Sequence, residues 1–68
     1  MTSGQLIKAA RKKAKMTQAQ LASKMGVTNH CINKWETGVR NPKYGTLSRI
    51  ADALGISVNC LLPTDYEG

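Results

Sequence analysis

The chain has 68 residues, 41% of them hydrophobic and 21% charged, with ten Lys and Arg against four Asp and Glu for a formal net charge of +6. This length predicts one small domain burying only about 60% of its unfolded surface, which nearly excludes an enzyme with an ordinary buried cleft. No run of 18 apolar residues is present to span a membrane, and Met1–Ala10 lacks the apolar stretch behind a basic cluster that marks a secretory signal.

Nowhere do apolar and polar residues alternate over a strand's length, so the class expected is all-α. Thr2-Ser3-Gly4-Gln5 has the Thr-x-x-Gln spacing of a capping box, and the helix it opens carries Leu6, Ile7, Ala10 and Ala14 along one stripe. Thr17-Gln18-Ala19-Gln20 repeats the signal ahead of a second helix with Leu21, Ala22 and Met25 inside, ended by Gly26. Thr28 is the expected N-cap of a third helix, closed by Gly38. Pro42 forces Asn41 out of the α region, which predicts a loop over about residues 38–43. A fourth helix presents Leu47, Ile50, Ala51 and Leu54 before Gly55. Ser57 caps a fifth, short helical segment with Val58, Leu61 and Leu62, and Pro63 stops it. Residues 1–63 are thus read as the domain and 64–68 as a flexible acidic tail.

The third segment, 28–37, is two-faced. At 100° per residue, Thr28, Cys31, Ile32 and Trp35 fall on one arc, while Asn29, His30, Asn33, Lys34 and Thr37 fall on the other. Solvent faces are normally filled by strong helix formers, whereas two Asn and a His are weaker ones. Their short polar groups suit base edges: the Asn amide matches adenine N6 and N7, and Lys or His⁺ donates to guanine O6 and N7.

Charge distribution points the same way. Residues 1–50 hold all ten cations and one acid, Glu36, for +9; residues 51–68 hold three acids and no cation, for −3. A polyanion is the partner this asymmetry implies, nucleic acid or anionic lipid. Small alanines in the first helix replace the Trp/Phe/Leu face that membrane insertion needs. A chain with no Phe and with Trp35 turned inward lacks a stacking platform for single strands. Double-stranded DNA is left.

A helix containing small Ala22, then Gly26-Val27-Thr28, then the two-faced helix is a helix-turn-helix arrangement. Together with Thr17-Gln18-Ala19-Gln20-Leu21-Ala22, Ile32-Asn33-Lys34-Trp35-Glu36-Thr37-Gly38, Arg40-Asn41-Pro42 and Thr46 through Ser57, it resembles the phage repressor and Cro (Xre-type) family over about Leu6–Leu62. The resemblance implies a compact five-helix, lambda-repressor-like fold and a transcriptional regulator, in the first place a repressor. It further implies binding to a palindromic operator, as a weak homodimer or as a dimer formed on the DNA. It assigns base contacts to Asn29, His30, Asn33 and Lys34, and phosphate contacts to Gln18, Thr28, Thr37, Arg40, Asn41 and Lys43. Gln18 is expected to brace Asn29 as well. Arg11 and Glu36 match a structural ion pair, and Val58, Cys60 and Leu61 stand where a small dimer interface would form. Lys15 occupies a turn position where the family often has Gly, so a positive φ is expected there.

Cys31 and Cys60 lie 29 positions apart with no second Cys or His at ligand spacing, so no metal or other cofactor is expected. Two reduced thiols suit a cytoplasmic, nucleoid-associated protein of bacterial or phage origin. The single His has no evident nucleophile or carboxylate partner by motif, which argues against catalysis. The competing reading is an antitoxin or protein-interaction module in which DNA contact is secondary.

Overall fold

The computed structural model describes residues 2–63; the tail expected at 64–68 lies outside them. Among the described residues there are four α-helices and no strand: α1 (Ser3–Lys13), α2 (Gln18–Met25), α3 (Asn29–Thr37) and α4 (Tyr44–Leu54). The fifth segment, Val58–Leu61, is a 3-10 turn and not an α-helix. Only four residues separate the Ser57 cap from Leu62, and the bonds formed are Cys60 N–H to Ser57 C=O and Leu62 N–H to Asn59 C=O, both three residues back.

The caps follow the side-chain chemistry. Thr2 and Thr17 each form a complete capping box, with Gln5 and Gln20 returning a bond to the cap backbone. Thr28 Oγ1 accepts from Cys31 N–H at 3.1 Å. Gly26 ends α2 with φ +74°, so the chain reverses in the left-handed region without a side chain to strain it. Lys15 does the same after α1 with φ +59°, the only non-glycine positive φ among the described residues. The bond from Met16 N–H to Arg11 C=O (3.1 Å) closes that helix end.

Ile7, Leu21, Ile32, Leu47, Ile50 and Leu61 are fully buried, and each helix and the closing turn supplies at least one of them. The stripe along α1 differs from the expected one. Gly4, Ile7 and Arg11 are buried, Leu6 and Ala10 are half-buried, and Ala14 is an exposed C-cap. Gly4 sets this rotation. A Cβ there would collide with the Trp35 carbonyl oxygen and lie 2.8 Å from that of Glu36, so glycine lets α1 rest directly on the carbonyl end of α3. On α3 itself the buried pair is Ile32 and Glu36, four apart; Trp35 and Cys31 are half-buried at its flanks, and Thr28 is exposed. The inner arc is therefore centred on an acid and an isoleucine, with the indole to one side.

Candidate nucleic-acid interface

Glu36 organises the centre of the molecule. It is 7% exposed, and Arg11, also 7% exposed, meets it in a two-pronged ion pair: Nε to Oε2 at 2.6 Å and Nη2 to Oε1 at 3.1 Å. The remaining guanidinium arm, Nη1, donates to the Met16 carbonyl at 2.8 Å, tying the α1–α2 turn to the same node. Both charges are thereby met by partners of fixed geometry, which burial demands.

From that node α3 turns its other face outward. Asn29, His30, Asn33 and Thr37 are exposed, and Lys34 is half-buried. Alongside them, Gln18 at the start of α2 is half-buried, and its Nε2 lies 3.1 Å from Glu36 Oε1 and 3.4 Å from Asn33 Oδ1. The Gln18 side chain thus braces Asn33, one turn further along, and not Asn29. The reason is electrostatic: the lone pairs of the Glu36 carboxylate hold the amide on that side. At the N-terminus of α2 the N–H groups of Gln20 and Leu21 are taken by the Thr17 hydroxyl and carbonyl, which leaves those of Gln18 and Ala19 as unpaired helix-end donors.

The two threonines differ. Thr28 Oγ1 accepts from Cys31 N–H, so its proton is free to be donated outward. Thr37 Oγ1 donates to the Asn33 carbonyl at 2.9 Å, so its proton is spent within α3. A phosphate oxygen, which only accepts, would have to displace that bond. In the loop that follows, Arg40, Asn41 and Lys43 are exposed around buried Pro42, and the Arg40 N–H is held by the Lys34 carbonyl at 3.2 Å.

Two features of this surface are not evident from the residue pattern. Val39 is 73% exposed, more than Tyr44, the other exposed large apolar side chain among the described residues, and it directly precedes Arg40. Lys43 is the N-cap of α4 and makes no side-chain cap bond, which places a cation at the positive end of a helix. Composition hinted at neither, because both depend on where the loop ends. Arg49 on α4 is tied to the end of α2: its Nη2 donates to the Met25 carbonyl at 3.3 Å.

The expected dimer residues separate. Val58 is half-buried and Cys60 is exposed, but Leu61 is wholly enclosed by its own core and has no surface to give a partner. Its place in the 3-10 turn points it inward, since packing that turn onto α1 and α4 needs one apolar anchor. Both cysteines are free thiols.

Four α-helices, a tight Gly26 turn between α2 and α3, and a polar outward face on α3 define a helix-turn-helix protein. Residues 7–59 match the helix-turn-helix family, and the chain belongs to that family, in its Xre-type branch. It is 44% identical over 62 residues to the immunity repressor protein of Bacillus phage phi105, covering 91% of this chain and 43% of that protein. It is 39% identical over 64 residues to repressor protein C2 of Salmonella phage P22, covering 94% of this chain and 30% of that one. The chain therefore spans less than half the length of these curated relatives. The fold matches the crystal structure of the P22 c2 repressor in complex with a synthetic operator, with a TM-score of 0.81 at 37% identity, covering 96% of this chain and 98% of that chain. The solution structure of the P22 c2 DNA-binding domain matches with a TM-score of 0.85 at 36% identity over 98% of this chain and 88% of that one. No helix among the described residues is long and apolar enough to cross a membrane.

Proposed function

We propose that this chain is a sequence-specific, non-catalytic DNA-binding domain of a transcriptional repressor, which inserts α3 into the major groove of an operator. The observation that carries the reading is the division of α3: Ile32 and Glu36 are locked inside, while Asn29, His30 and Asn33 stand exposed with hydrogen-bonding groups of base-reading length. The likeness to a repressor solved on its operator supports the same docking.

In this reading Asn29, His30, Asn33 and Lys34 meet base edges. Thr28, Arg40, Asn41 and Lys43, with the backbone N–H groups at the start of α2, grip phosphates on either side. Thr37 is a lesser phosphate contact, its proton being held by α3. Two copies bind half-sites about 34 Å apart, one helical turn of DNA. Val58 and Cys60 are the members of the expected dimer set with surface to offer. A compact unit seated on an operator represses by excluding the transcription machinery, and its location is the cytoplasm that holds the DNA.

Selection of bound duplexes from a random pool tests this. A palindromic motif with half-sites one turn apart is expected. Affinity for it should fall with salt at a slope of about −0.9 per neutralised phosphate. Recovery of no preferred duplex, or binding insensitive to salt, would refute it.

A further inference from the structure

The hydrogen bonds around Glu36 fix which atom of Gln18 and which atom of Asn33 are left to face a ligand. The Glu36 carboxylate, paired with Arg11, only accepts, so the Gln18 atom 3.1 Å from Oε1 is the amide nitrogen; the flipped amide would set two oxygens against each other. That nitrogen has a second proton, directed at the Asn33 side chain at 3.4 Å, so the Asn33 atom receiving it is Oδ1. What remains is the Gln18 Oε1 acceptor and the Asn33 Nδ2 donor with both its protons. No buried side-chain polar atom among the described residues lacks a partner, so Gln18 Oε1, which has none, is reached by solvent.

We propose that Gln18 and Asn33 together read a single adenine, with Gln18 Oε1 accepting from the N6 amino group and Asn33 Nδ2 donating to N7. The inference rests on the DNA-binding reading above and names its specificity. Among the major-groove edges only adenine pairs a donor with an acceptor in this way. Guanine would turn O6 toward the Gln18 oxygen, thymine offers one acceptor beside a methyl group, and cytosine offers a single donor. A phosphate oxygen, an acceptor, cannot be bound by Gln18 Oε1, so any phosphate contact at this position falls to the backbone N–H groups of Gln18 and Ala19. Gln18 is therefore a base-reading residue whose orientation is imposed from inside by Arg11 through Glu36.

The test begins with the duplex selected by the unaltered protein. Each adenine is replaced in turn by 7-deazaadenine, which lacks the N7 acceptor, and by purine, which lacks the N6 amino group, and affinity is measured by fluorescence anisotropy. One adenine per half-site should be sensitive to both, each analogue weakening binding about 5- to 100-fold. At that position Asn33→Ala should abolish the 7-deaza penalty and keep the purine penalty. Gln18→Ala should do the reverse and leave the salt slope unchanged. The proposal is overturned if every adenine tolerates both analogues, an arm that needs no variant to fold. It is equally overturned if Gln18→Ala lowers the salt slope by about one phosphate while both analogue penalties persist. A pool that yields no preferred duplex would remove the DNA-binding reading itself, and this assignment with it.

Discussion

Arg11 Nε lies 2.6 Å from Glu36 Oε2, joining α1 to α3 across 25 residues of chain, with both side chains nearly removed from solvent. The pair carries two tasks at once: it satisfies the only acid among the first fifty residues, and it aims the Gln18 amide. Arg11→Met leaves the Glu36 carboxylate buried without its cation, which should cost about 3–5 kcal/mol. Arg11→Met with Glu36→Met removes both charges and should recover most of that loss. Thermal unfolding of the two variants measures it. Equal losses in both would mean that the guanidinium's bond to the Met16 carbonyl, lost in each, and not the orphaned charge, is what matters.

Gly4 is the counterpart of that pair at the other end of the α1–α3 contact. An exposed helical Gly→Ala ordinarily stabilises by up to about 1 kcal/mol through chain entropy. Here the new methyl would meet two carbonyl oxygens of α3, so Gly4→Ala should destabilise by about 1–3 kcal/mol. A raised melting temperature would show that α1 can lift away from α3 without loss.

How much of this was legible in the chain depends on the distance over which each signal acts. Threonine–glutamine capping boxes and the Gly26 turn are local, and the residue pattern predicts them at Thr2, Thr17 and Gly26 because the bonds close within four residues. The outward face of α3 follows from its 100° period. What periodicity alone could not supply was the tertiary choice among near-equivalent rotations. Glu36 is buried in place of a fully enclosed Trp35 because Arg11 is waiting for it, and α1 turns Gly4 inward because a backbone, not a side chain, is its neighbour. The bracing of Asn33 by Gln18 follows from the same buried acid. Leu61, buried where a partner contact is expected, follows the same rule: apolar residues in a terminal turn serve a core or a partner equally well until the packing decides.

Lys15 adopts φ +59° where three glycines in equivalent post-helix positions have +71° to +83°. An L-residue held there stores about 1 kcal/mol or more of local strain. Lys15→Gly relieves it but adds entropy to the unfolded chain, so the net gain expected is about 0.5 kcal/mol and at most 1. Calorimetry should show a melting point higher by a few degrees. A decrease would mean that the lysine side chain makes a compensating contact.

Lys43 offers the sharpest separation of stability from binding. Its backbone, at φ −74° and ψ 168°, already has the extended N-cap conformation of Thr17 at −81° and 165°, yet its side chain forms no cap bond. An ammonium group there is also repelled by the helix dipole. Serine in the same backbone can accept from the N–H two or three residues on, so Lys43→Ser should stabilise the fold by about 1 kcal/mol. If the lysine grips a phosphate, the same change should weaken binding to every duplex alike and reduce the salt slope by about one. Both effects come from one substitution and are read on the same sample, by thermal melting and by anisotropy at several salt concentrations. A protein that becomes more stable and keeps its full affinity would show that the charge at this helix end serves no DNA contact.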